Sequence, residues 1–220
     1  METGNETQVI VAAEAPVPGL LKTALTPPLR PEEAALVAEA ALADTLEVVA
    51  ATPVARRVIA LDGGPGAWLP AGFEVIGQRG SGPGERLAAA FADAHASLPL
   101  PMVLIGPSTP QVTAVMLEDA VASLESGEAD AVFGPATNGG FWLLGLRRPD
   151  RSLLAGVPMS QPDSGRVLLE RLAGGGLRVA LAPRLTDVGT FNGAEQVASE
   201  IPASRFAAIF TAAAAGLSAA

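Results

Sequence analysis

The sequence predicts an α/β fold, a mostly parallel mixed sheet with helices on both faces. Three observations carry this: short β-branched runs, helix-length segments alternating with them, and Gly or Pro at nearly every junction. Val9 to Ala13 is the first such run, and it feeds a loop, Glu14 to Thr23, that Pro and Gly keep out of regular structure. Pro31-Glu32-Glu33 then offers Pro at a first helical position and acids in the first turn, where the helix dipole favours them. Leu36, Val37, Ala40 and Val48 continue a mostly apolar stripe to a helix end near Thr52-Pro53. Val58 to Leu61 and Phe73 to Ile76 are the next strands, and Glu85 to Ser97 is a second helix.

Pro101 to Gly106 is the clearest buried strand, followed by the loop Pro107 to Pro110 and a helix from about Thr113 to Ser126. Ala131 to Phe133 and Phe141 to Leu146 flank a Gly-rich connection, a helix covers Ser164 to Ala173, and Leu177 to Leu181 is the last strand. Asn192 with Glu195 resembles a capping box for a short helix, and Ser204 is placed to cap another. The tail Ala212 to Ala220 is expected to fray.

Composition fits one domain with a sizeable core: 220 residues, 49% hydrophobic and 17% charged. We assign it to residues 8–211, between a frayed N-terminus (1–7) and an Ala-rich tail (212–220). No internal repeat interrupts it. No apolar run approaches the roughly 18 residues needed to cross a bilayer, and the polar stretch Met1 to Gln8 is unlike a secretory signal, so a soluble cytoplasmic protein without membrane partners is expected. The absence of cysteine excludes disulfides and thiolate metal sites. A net charge of −9 argues against extended nucleic-acid binding but leaves room for a small phosphorylated ligand.

In open α/β sheets ligands bind beyond the carboxyl ends of the strands, so the loops after Ala13, Gly106 and Phe133 should converge on one crevice. Lys22, the only lysine, either reaches a phosphate there or is a solvated surface residue. Arg79 to Leu87 is a Gly-rich loop entering a helix: an anion site with Gly84 and Arg86 beside it, or a plain turn. Asn138-Gly139-Gly140 reads as a tight turn whose amide has a sugar hydroxyl within its chemistry. Asp187 either caps the turn that follows it or serves as a metal ligand or catalytic carboxylate. His95 has no clustered ligands, and no Ser/His/Asp or His/Glu metal set is evident.

Four segments, Ala15 to Thr23, Gly84 to Phe91, Gly134 to Leu146 and Leu185 to Thr190, together resemble the radical-SAM/selenodomain-associated transferases, relatives of bacterial glycosyltransferases and of molybdenum-cofactor and phospholactate guanylyltransferases. The resemblance implies a single-domain, Rossmann-like GT-A fold. It also implies a nucleotide or nucleotide-sugar ligand held by the first loop (Ala12, Ala13, Glu14, Lys22) and by the segment with Gly84 and Arg86. Ser108 would lie at the diphosphate, Asn138, Gly139 and Gly140 at the acceptor, and Asp187 and Asn138 at the reacting groups. Glycosyl or nucleotidyl transfer is the implied activity, with Mg²⁺ or Mn²⁺ as the family's cation and a homo-oligomer or partner enzyme left open. The sequence departs from the family at the acids: Gly106-Pro-Ser108-Thr-Pro110 stands for Gly-Thr-Asp-Ser/Cys-Pro, Asn138 for the Asp of Asp-Gly-Gly, and Gly189 for the second Asp of Asp-Val-Asp-Thr. The expected metal-ligand positions are therefore Ser108 and Gly189, and no metal ligand is assigned. Altered or absent metal dependence follows from these losses, and a non-catalytic nucleotide binder is the alternative.

Overall fold

A computed structural model describes residues 6–19, 24–154, 156, 157, 159 and 161–218. Seven strands form one sheet in the order β3-β2-β1-β4-β6-β5-β7: β1 Gln8–Glu14, β2 Arg56–Asp62, β3 Glu74–Gly77, β4 Met102–Ile105, β5 Ala131–Pro135, β6 Phe141–Leu146 and β7 Val179–Leu181. The pairs β1·β2, β1·β4, β2·β3 and β5·β7 are parallel, whereas β6 runs antiparallel to both β4 and β5. The sheet is thus mixed and mostly parallel, as the strand and helix alternation predicts.

Alternation along the central strands sends side chains to two cores. Val9, Val11, Val103 and Ile105 meet Leu42, Leu46 and Val49 of helix α1 (Pro31–Ala51), and Leu117, Val121 and Leu124 of α3 (Ala114–Glu125). Ile10, Val58, Met102 and Leu104 face the other way, onto Ala90, Phe91 and Ala94 of α2 (Pro83–Ser97), the short α4 (Arg151–Leu154) and Leu168 and Leu172 of α5 (Ser164–Gly174). A strand buried on both faces has no polar side to alternate with, which explains the unbroken apolar run at Met102–Ile105.

A third core lies outside α1, where α6 (Phe191–Glu200) and α7 (Arg205–Ser218) pack on Leu29, Val37 and Ala41 through Val197, Phe206 and Phe210. The expected frayed tail is therefore corrected: α7 continues through residue 212 to Ser218, with Ala213 and Ala214 against the core. Ser204 caps it as expected, its Oγ accepting the Ala207 N–H at 2.9 Å. At the other end, Glu6 and Thr7 are not loose. The Glu6 N–H and the Thr7 hydroxyl both donate to Glu125 Oε1 at 2.8 Å, and Thr7 is fully buried.

Smaller differences have local causes. The cap of α6 is Thr190, whose Oγ1 accepts the Gly193 N–H, so Asn192 lies one residue inside the helix instead of capping it. Helix α2 begins at Pro83 instead of Glu85, because Gly82 takes the extended cap conformation and Pro sits at the first helical position. Helix α4 is too short to leave a periodic signal. No helix is long and apolar enough to cross a membrane among the described residues.

Candidate functional site

Because β1, β4, β5 and β7 run the same way, the segments that follow them emerge on one edge of the sheet. There a crevice of about 520 Å³ opens, lined by Ala12 to Glu14, Pro107, Ser108, Val188 and Gly189, by the start of α2, and by an apolar wall of Leu25, Val37, Ala41 and Leu42. Ala12, Ala13, Glu14, Arg86 and Ser108 of the expected nucleotide set all border it. Lys22 lies outside the described residues. Gly84 does not border the crevice: as the second residue of α2 it turns toward α4, where a Cβ would meet Leu154 O at 3.2 Å.

Arg86 is already partnered. It pairs with Asp62, at the end of β2, and lies 3.9 Å from Glu14, at the end of β1. Glu14 and Asp62 are register partners on adjacent parallel strands, so both acids flank the same guanidinium. Arg86 is the only cation among the described residues lining the crevice. Gln78, which composition alone did not single out, is fixed there by donating its amide to Ala13 O at 3.0 Å and Ala60 O at 2.9 Å.

Adjoining this crevice, the segment Leu185 to Gly189 threads between two loops. On one side Ser108 O accepts the Val188 N–H at 2.9 Å, and buried Gln111 donates Nε2 to Thr186 O at 2.7 Å. On the other, the Thr137 N–H donates to Leu185 O at 2.9 Å, and Ala136 bridges to Leu185. Asp187 sits at the centre. Its Oδ1 accepts the Gly189 N–H at 2.7 Å, and the Ser108 and Asn138 side chains lie beside its carboxylate. Burial pushes the Asp187 carboxyl above the usual carboxylate range, and the Gly189 N–H and the neighbouring Ser108 and Asn138 side chains partly offset the rise.

Sequence spacing separates Ser108, Asn138 and Asp187 widely, and the fold brings all three together. Both roles open to Asp187 in the sequence meet here, since it closes its own turn and also faces the neighbouring loops. The Asn138-Gly139 turn is a β5–β6 hairpin connection, with Gly139 at φ 85° and Asn138 Oδ1 accepting the Gly140 N–H at 2.9 Å. Gly139 is packed so tightly on Pro162 O that a side chain would overlap it. Asp163 points its charge elsewhere, pairing with Arg166 at 3.0 Å. His95 is half-buried in α2, its Nδ1 buried and without a hydrogen bond.

The donor set does not fit a divalent cation of the Mg²⁺ type. Such ions are held through one or two carboxylates plus substrate phosphates, whereas the cluster offers the single carboxylate of Asp187, turned onto its own Gly189 N–H, and Asn138 Oδ1 is committed to Gly140. No group of three or more His, Cys, Asp or Glu placed to hold a metal occurs among the described residues.

A family model described as an uncharacterized protein conserved in bacteria (DUF2064) matches residues 37–161. No curated protein matches the sequence. Among solved structures, a candidate nucleotide-diphospho-sugar transferase from Desulfovibrio desulfuricans G20 superposes with a TM-score of 0.86 at 23% identity, covering 97% of each chain. A cytidylyltransferase from Leptospira borgpetersenii serovar Hardjo-bovis reaches 0.55 at 12% identity, over 97% of this chain and 95% of the other. CMP:2-keto-3-deoxy-manno-octonic acid synthetase, complexed with CTP, reaches 0.54 at 12% identity, over 87% and 96%. At these identities the likeness is one of fold: the chain has the Rossmann-like α/β fold of nucleotide-diphospho-sugar transferases.

Proposed function

The chain belongs to the DUF2064 family, and from that premise we propose that it binds a nucleotide-activated donor, a nucleotide sugar or a nucleoside triphosphate, in the crevice beside β1 and β4. The observation that carries this is the position of the crevice. It opens beyond the carboxyl ends of parallel strands, with Gly82 and Pro83 at the N-terminus of α2 on its wall. Glycosyl or nucleotidyl transfer is the activity this reading assigns, in keeping with the transferases of the same fold. The narrower kinship with radical-SAM/selenodomain-associated transferases is part of the proposal.

Ala12, Ala13, Glu14, Ser108 and Arg86 would contact the nucleotide, joined by Lys22 from the first loop. Asn138, Gly139 and Gly140 would face the acceptor, with Asp187 beside Asn138. Fold alone does not decide activity, and one observation favours a second reading: Asp187, the carboxylate of the inner cluster, is turned onto its own Gly189 N–H and does not line the crevice. That arrangement suits a non-catalytic nucleotide binder, acting alone or beside a partner enzyme.

Calorimetric titration with a panel of nucleoside triphosphates and nucleotide sugars tests the shared part of both readings. Saturable binding of one member, weakened by Lys22→Ala with the fold intact, is the expected result. No binding across the panel would remove both. Turnover of the bound donor by the native protein would decide for the transferase and against the non-catalytic binder.

A further inference from the structure

We infer that Gln78 is a specificity-determining acceptor of the crevice: its Oε1 takes an N–H or O–H donor of the bound nucleotide, so that base or ribose, and not a phosphate, lies against it. That a nucleotide is the ligand rests on the reading above; the orientation of the amide does not. Gln78 is the first residue past β3, and it is half-buried in the crevice wall. All three of its N–H donors are used inside the protein. The backbone N–H donates to Leu61 O at 3.0 Å, and Nε2 donates to Ala60 O at 2.9 Å and to Ala13 O at 3.0 Å.

These bonds fix which way round the amide sits. A flip would set Oε1 against two main-chain carbonyl oxygens and lose both hydrogen bonds, so the side chain has one usable orientation. Oε1 is what remains, and among the described residues no donor reaches it. A glutamine is ordinarily donor and acceptor at once, whereas this one is an acceptor alone. Such a group repels a phosphate oxygen and is matched by a ring N–H, an exocyclic amino group or a hydroxyl. Its place along the strands agrees with this. Ala13 and Ala60 precede Glu14 and Asp62, the acids that flank Arg86, on the same two parallel strands. Gln78 is therefore anchored deeper in the crevice than the guanidinium. Positive charge towards the mouth and a neutral acceptor further in suit a nucleotide that enters base or ribose first and leaves its phosphates outermost.

Calorimetry on the full chain first finds which of ATP, GTP, CTP, UTP and their diphosphate sugars binds. That nucleotide is then compared with its analogues methylated at each base N–H or amino group, and with its 2′-deoxy and 3′-deoxy forms, on the native protein and on Gln78→Met. The native protein is expected to lose about tenfold in affinity for one analogue, the size of one hydrogen bond, while Gln78→Met binds that analogue and its parent equally. Loss on methylation places the base against Gln78, and loss on deoxygenation places the ribose there. Inorganic triphosphate should bind the two proteins alike, and weaker binding to Gln78→Met would overturn the inference by putting phosphate at residue 78. A native protein that binds every analogue as tightly as the parent overturns it without any variant, as does a loss equally large in Gln78→Met. If nothing in the panel binds, the nucleotide reading falls and this inference with it, whereas binding without coupling to residue 78 removes this inference alone.

Discussion

The Asp187 carboxylate and the Gly189 α-carbon share one small space: Oδ1 takes the Gly189 N–H at 2.7 Å and occupies the volume a side chain at 189 would enter, 2.5 Å from its Cβ. Gly189→Ala is therefore expected to push the carboxylate out of its turn and break its bond to the N–H of residue 189. Leaving buried polar groups unsatisfied costs about 1–3 kcal/mol each, so a loss of that order in urea denaturation is the expected outcome. A change within a few tenths would show that Asp187 relocates freely.

The hairpin turn gives a harsher case. Gly139 combines φ 85° with contact against Pro162 O, and Gly165 packs closely on Gly140 O. Gly139→Ala meets both backbone strain and a collision with main-chain atoms that cannot rotate away, so it should cost several kcal/mol, more than the roughly 1 kcal/mol of an ordinary φ penalty. Soluble expression and a denaturation midpoint measure it.

At the crevice mouth, stability and binding should part company. The Arg86–Asp62 pair is substantially solvent-exposed, and such pairs contribute about 0–1 kcal/mol. Asp62→Asn is expected to leave the melting temperature nearly unchanged while freeing Arg86 from its partner. If the ligand's phosphates reach Arg86, their affinity rises in Asp62→Asn and falls in Arg86→Ala. Opposite signs in calorimetry would confirm this, and equal losses would assign Asp62 a direct contact with the ligand.

Asp130 supplies a pH signature. Arg178 holds it through paired hydrogen bonds at 2.8 and 2.9 Å, aided by the Arg178 N–H, and pulls its pKa down to about 2. A carboxyl depressed in the folded state stabilises above its unfolded pKa, near 3.9, and that contribution is lost as pH falls through the folded value. Asp130→Asn should thus be less stable than the native protein at neutral pH, with the difference closing between about pH 4 and pH 2. Denaturation curves at stepped pH check the sign.

The third core predicts that Phe206→Ala, removing a fully buried ring between α7 and α1, costs about 3–5 kcal/mol. A smaller effect in thermal unfolding would mean that α7 contributes little to the cooperative unit.

What the sequence showed of the fold was what local pattern encodes. The apolar run at Met102–Ile105 and the Pro31-Glu32-Glu33 helix start were visible because burial and capping act within a few residues. The C-terminal helix was misjudged for the same reason: an Ala-rich stretch has no strong apolar face of its own, and Phe206 and Phe210 anchor it only because α1 lies opposite. Ser108, Asn138 and Asp187 were identifiable singly from motif resemblance, yet nothing local reveals that the fold sets the three side by side. Gln78 and Asp62 were missed because their importance comes from partners far along the chain, Ala13 and Ala60 for one and Arg86 for the other. Gln111 likewise gains its role only from Thr186.

The reversed direction of β6 has an evolutionary reach. Because β6 lies antiparallel beside β5, the two need no helical crossover, and the short connection between Pro135 and Phe141 is left at one edge of the sheet, where the Thr137 N–H reaches Leu185 O and the Gly165 N–H reaches Gly139 O. Helical crossovers elsewhere are tied to a packed face on each side. Held in this way by two other segments, residues 136–140 are where descendants of this fold would conserve length, leaving diversity in what the crevice accepts to the segments that line it after β1 and β4.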